Sequence, residues 1–93
     1  MTIKQHEDNN KGEFYLEADG NKLASMTYSY AGDDKIIIDH TEVDESLKGQ
    51  GVGYKLVEAS VDFAREKGLK IMPLCPFANA VFNKKKEYND LRF

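Results

Sequence analysis

The chain has 93 residues, which is enough for one compact domain and too few for two independent cores, so a single domain over residues 1–93 is expected. Apolar residues make up 41% and charged residues 31%, with no apolar run near the roughly 18 residues of a membrane span. The net charge of −3 argues against a main role in gripping nucleic-acid backbone.

Cys75 is the only cysteine, so no intramolecular disulfide can form. The opening residues, MTIKQHEDNNKGE, lack an apolar segment of the kind an export signal needs. Together these imply a free thiol in a reducing, cytoplasmic setting. Residues 1 to about 12 show no periodicity and are expected to form a loose tail.

Residues 13–18 (EFYLEA) alternate Phe14, Leu16 and Ala18 against Glu13, Tyr15 and Glu17, as in a half-buried strand, and DGN at 19–21 is a hairpin turn. A second strand is expected over 22–30 (KLASMTYSY), then a turn at 31–35. Residues 36–43 (IIIDHTEV) open with three isoleucines, the mark of a central strand covered on both faces at that end.

From Val52 the period becomes helical. Val52, Leu56, Val57, Ala59, Ser60, Phe63 and Ala64 form the apolar stripe, Arg65 and Lys67 suit the negative end, and Gly68 is the stop. Residues 69–74 (LKIMPL) read as another strand, in which Pro73 implies an edge, a bulge or a splayed neighbour. A last helix opens at Pro76, with Phe77, Ala80, Val81 and Tyr88 on its apolar face.

Between the third strand and the first helix lies LKGQGVGYKL, with Gly49, Gly51 and Gly53 in five residues. A helix N-terminus exposes unpaired N–H groups and about half a positive charge, and glycines let an anion approach the bare backbone. A sharp turn or close packing would use the same residues. The dinucleotide fingerprint fails because Leu56 stands where a third glycine is needed, and the P-loop fails for want of Gly-Lys-Ser/Thr.

With VDESLKGQGVGYKLVEA preceded by HTEV and followed by LCPFANAVFNKKKEY, the sequence resembles the short members of the GNAT superfamily of acyl-CoA-dependent N-acetyltransferases. The resemblance runs from about Glu13 to Leu91, with Lys48, Gly51 and Gly53 in the signature places. Lys48 keeps the charge but lacks the planar fork of the arginine common there. The resemblance implies an α+β fold: a mixed, mostly antiparallel sheet, a central helix after the pyrophosphate loop and a C-terminal helix. It implies acetyl-CoA as co-substrate and no metal, with an amine as acceptor. By it, Lys48, Gly49, Gln50, Gly51, Val52, Gly53 and Tyr54 surround the pyrophosphate, Glu42 and Val43 lie against pantetheine, and Asn79 contacts the cofactor. Partners other than these, nucleic acid and membrane included, are not expected; the chain is expected to be a monomer or weak dimer.

Two residues are candidates for chemistry. His40 shares a strand face with Glu42 and could be a general base, or simply hydrogen-bond at a strand end. Cys75 precedes Pro76 at the start of the last helix, where the dipole favours a thiolate and apolar neighbours oppose it. It could carry the acetyl group, protonate the coenzyme A thiolate, or only fill the strand–helix junction. Lys84, Lys85 and Lys86 read as a solvated run or as contacts to the 3′-phosphate. A non-catalytic acyl-CoA-binding or protein-interaction module is the alternative function.

Overall fold

The computed structural model describes residues 2–93. Period-two alternation over residues 11–43 becomes three antiparallel strands, β2 (Lys11–Ala18), β3 (Asn21–Tyr30) and β4 (Lys35–Val43). Asp19 and Gly20 both have positive φ, as a two-residue hairpin between right-twisted strands requires. The helical period becomes α1 (Val52–Lys67), stopped by Gly68 in the left-handed region with its N–H on the Ala64 carbonyl. Strand β5 (Lys70–Pro73) returns parallel to β4, and α2 (Pro76–Lys84) follows.

Residues 4–8 correct the expectation of a tail: they form β1 (Lys4–Asp8), antiparallel to β2 through a turn in which Asn9 and Asn10 both have positive φ. Every residue of β1 is exposed, so no apolar stripe announces it. Polar groups anchor it instead: the Tyr28 and Tyr30 hydroxyls each donate to one Glu7 carboxylate oxygen at 2.6 Å, and Gln5 donates to the Tyr28 hydroxyl. The sheet order is β1-β2-β3-β4-β5, antiparallel except for the last pair.

Both helices pack on one sheet face, over a core including Phe14, Met26, Tyr28, Ile36, Ile38, Leu56, Val57, Ile71 and Phe82. The opposite face is polar and crossed by exposed ion pairs such as Lys22–Glu13. Val61 joins the buried stripe of α1, while Ala59 and Phe63 pack at its margin.

Helix α2 is shorter than its apolar spacing suggests, and its buried residues are Ala78, Val81 and Phe82. Tyr88 lies beyond it in a 3-10 turn over Lys86–Tyr88, with its ring 5.5 Å from that of Phe82. Phe77 and Ala80 are exposed.

One irregularity in β4 decides which of its residues face the helices. Tyr28 pairs with Ile38, but Thr27 pairs with His40, leaving Asp39 as an extra, bulged residue. Inward-facing residues are therefore even-numbered before it (Ile36, Ile38) and odd-numbered after it: Thr41 lies opposite buried Met26 and Val43 opposite buried Ala24.

Candidate functional site

Strand β5 accompanies β4 only from Lys35 to Ile38. Pro73 is its last residue, and the chain then turns toward α2, with the Cys75 N–H donating to the Ile38 carbonyl at 3.0 Å. Among the described residues no strand pairs with the far edge of β4 over 39–43, so this stretch offers backbone groups beside an open wedge between β4 and α2. Pro73, which cannot continue a ladder as donor, sits where the strands part.

The glycine loop closes one end of the wedge. Gly49 and Gly51 have φ of 81° and 73°, a region that L side chains rarely adopt, and Gly51 caps α1 without any side-chain hydrogen bond. No acidic residue stands in the first turn, leaving the N–H groups and the positive helix end for an outside acceptor. Gly53 answers a different demand: a Cβ there would stand 2.6 Å from the Phe77 ring. The absent side chain lets α2 close on α1, with Phe77 and Tyr54 edge to face at 5.8 Å.

The result is an apolar-walled hollow of about 470 Å³, lined by Thr41 and Val43 of β4, by Leu47, Lys48, Gly49, Gly51, Gly53 and Tyr54, and by Phe77. Cys75, 5% exposed, lies behind this lining rather than in it, with its Sγ 3.4 Å from Thr41 Oγ1. Burial pushes the Cys75 thiol up; hydrogen bonding with the Thr41 side chain and with the backbone at Ala78, Phe77 and Thr41 pushes it down, and the balance falls below the ordinary thiol value.

Other sequence candidates fall elsewhere. His40 and Glu42 do share a face, but the bulge turns them to the open side of the sheet. His40 lines a separate polar hollow with His6, Asp8, Glu13 and Asp39, and Glu42 lines another with Lys22 and Ser25. Val52 is buried in the core, and Gln50 donates its side-chain amide to the Ser46 carbonyl. Lys48 lines the hollow while its ammonium pairs with Glu45 at 3.2 Å, both exposed.

Asn79 faces away from the hollow and accepts from Arg92, as does Asn83, which binds the C-terminal segment to α2. Of the three consecutive lysines, Lys85 lies beside the loop, in a smaller hollow shared with Gly51, Tyr54 and Lys55. Among the described residues, no group of three or more His, Cys, Asp or Glu side chains is arranged to hold a metal ion, and no helix is long and apolar enough to cross a membrane.

A mostly antiparallel sheet with a central helix after the glycine loop and a C-terminal helix is the fold expected from the sequence resemblance, and a family model described as GCN5-related N-acetyl-transferase matches residues 13–91. The chain belongs to this family. As a GCN5-related protein it is similar to a GCN5-like protein from Staphylococcus aureus solved by NMR, at 42% identity, with a TM-score of 0.76 and coverage of 99% of this chain and 87% of that one. The ribosomal-protein-S18-alanine N-acetyltransferase of Escherichia coli shares the fold, with a TM-score of 0.66 at 19% identity over 84% of this chain and 53% of that one. Protein NATD1 of Xenopus tropicalis is 29% identical over 75 residues, covering 80% of this chain and 69% of that one.

Three lining residues escaped the sequence reading. Thr41 was hidden by the bulge. Phe77 carries the apolar signature of a core residue, and Leu47 stands two residues before the first glycine without distinguishing spacing. For Phe77 a signal did exist: a glycine at 53 inside the first turn of a helix implies that something large comes close, and an aromatic after Pro76 is a candidate.

Proposed function

We propose that the protein transfers an acetyl group from acetyl-CoA to an amine, with the wedge between β4 and α2 as its cofactor slot. The observation that carries this reading is one hollow bounded by unpaired β4 backbone and uncapped α1 N–H groups, with the Cys75 sulfur directly behind its lining residue Thr41. The chemistry of coenzyme A fits these in sequence. Its amide-bearing pantetheine arm would add to the free edge of β4 at Glu42 and Val43 through their backbone, and its pyrophosphate would sit on the amides of Gly49 to Tyr54. Lys48, Lys55 and Lys85 supply positive charge around that end.

At the other end the acetyl thioester would reach Cys75. A lowered thiol value suits a nucleophile better than an acid: the Cys75 thiolate would attack the thioester carbonyl and displace coenzyme A as its thiolate, and a neutral amine would then displace Sγ, the proton lost from nitrogen passing to the departing sulfur. The amide groups at the start of α2 are placed to receive negative charge nearby.

Intact-protein mass spectrometry after incubation with acetyl-CoA tests the reading. The expected result is a hydroxylamine-labile gain of one acetyl group, absent from Cys75→Ala and from protein blocked with iodoacetamide. Binding of coenzyme A by wild type with no adduct at any pH would remove the acyl-enzyme role. A second reading, a non-catalytic acyl-CoA binder, is favoured by one observation: no histidine or carboxylate lines the slot to deprotonate an amine. It requires coenzyme A binding without acetylation of any amine offered.

A further inference from the structure

We propose that Thr41 is the positioning residue for Cys75, holding Sγ directly behind the slot wall that Thr41 itself lines, through a hydrogen bond that persists whether the sulfur is a thiol or a thiolate. The inference rests on the reading of Cys75 as the acyl-end residue. Its support is geometric. The Cys75 backbone is fixed on both sides, its N–H on the Ile38 carbonyl at 3.0 Å and its carbonyl accepting from the Asn79 N–H at 2.9 Å. Rotation about the Cα–Cβ bond is the freedom left to Sγ.

The core cluster to which Cys75 belongs is apolar, with Met26 and Ala78 fully buried. Among the described residues, Thr41 Oγ1, at 3.4 Å, is the one side-chain oxygen bonded to the sulfur. A hydroxyl can accept from S–H and, after turning, donate to S⁻, so it remains a partner through loss of the proton. A β-branched side chain on a strand is also stiff about its first torsion, which a serine at this position would not be.

The bulge at Asp39 makes this contact possible. With regular pairing through Asp39, Thr41 would face the open side and His40 would face Cys75. The extra residue thus sets a neutral hydroxyl, rather than a titratable imidazole, against the sulfur.

The test uses the full chain, whose single cysteine makes thiolate absorbance near 240 nm and alkylation by iodoacetamide specific to Cys75. Thr41→Val keeps the shape and strand preference and removes the hydroxyl; Thr41→Ser keeps the hydroxyl. Thr41→Val is expected to move the thiolate titration to higher pH and to slow alkylation at pH 7 on the order of tenfold, the worth of a hydrogen bond to a charged group. Thr41→Ser is expected to restore most of both, and melting temperatures should stay close to wild type. Should Thr41→Val not fold, Thr41→Ala is read against Thr41→Ser in the same way.

A titration unmoved by loss of the hydroxyl would overturn the proposal, as would Thr41→Ser and Thr41→Val changing it equally. These readouts need neither acetyl-CoA nor an acceptor. They can succeed while acetylation of Cys75 fails, and fail while it succeeds.

Discussion

Residues 35–38 of β4 are paired on both edges and bury Ile36 and Ile38 completely, whereas residues 39–43 keep only β3 as neighbour and bury no side chain fully. The first stretch is held by apolar contact and contributes stability. The second leaves hydrogen-bonding groups unspent, and every lining residue that β4 gives to the slot comes from it. A single strand therefore divides its work at one bulged residue, Asp39. Stability and function separate along the chain at that point, and substitutions on either side should fail in different ways.

Two large effects are expected, one on each side of the bulge. Gly53→Val places atoms where the Phe77 ring lies 2.6 Å from the nearest Cβ position, so the ring must swing and α2 must shift against the slot. Coenzyme A at 100 times the wild-type dissociation constant should stabilise wild type by about 2.7 kcal/mol and this variant not at all, as read by thermal denaturation with and without ligand. A folded Gly53→Val protein with a full ligand-induced shift would remove the Gly53–Phe77 contact from the site. On the structural side, Ile36→Ala should cost about 2–5 kcal/mol in urea denaturation. The molecules that remain folded should bind coenzyme A as before, and a large loss of affinity would show that the two stretches are not separable.

The sheet's outer strand extends the contrast between apolar and polar anchoring. Burial first, then the hydrogen bond to Glu7, push the Tyr30 hydroxyl up to about 12, and the same two causes drive Tyr28 higher still. Both phenols hold their protons more tightly folded than unfolded. The stability they contribute is complete below pH 10, the ordinary tyrosine value, and is lost as pH rises from there through about 12. Urea midpoints at pH 8, 10 and 11 should fall for wild type and fall less for Tyr30→Phe, which has no phenol to ionise at that position. Parallel slopes for the two proteins would mean that neither the burial of the Tyr30 hydroxyl nor its Glu7 contact holds in solution.

How far the sequence could be read depends on which forces leave a periodic trace. The isoleucines at 36–38, the stripe from Val52 to Ala64 and the stop at Gly68 are consequences of apolar burial and backbone sterics, and they were legible to within a residue or two. Strand β1 was not, because tyrosine hydroxyls on a strand more than twenty residues away hold it through Glu7. Its one local sign was the Asn9–Asn10 pair, suited to positive φ in a two-residue hairpin. The glycine loop was legible as the turn that starts α1, and Cys75 as the start of α2. The direction of His40 was not, for a bulge without glycine leaves no mark in the sequence and reverses every side chain beyond it. Asn79 likewise looked free until Arg92, thirteen residues on, closed over it.

The smallest expected effect is the most informative about that reversal. His40 and Thr41 are adjacent, yet the first is exposed on the open face and the second touches the Cys75 sulfur. His40→Ala should leave coenzyme A binding, the titration of Cys75 and its acetylation within about twofold of wild type. If the imidazole instead served as the base for the acceptor amine from across β4, transfer to the amine would fall by the roughly 10²–10⁴-fold typical of general-base loss while acetylation of Cys75 stayed intact. Measuring the two half-reactions separately in this one variant shows whether the chemistry is confined to the helix side of the sheet or passes through the open edge of β4. That outcome decides on which face an acceptor must be sought.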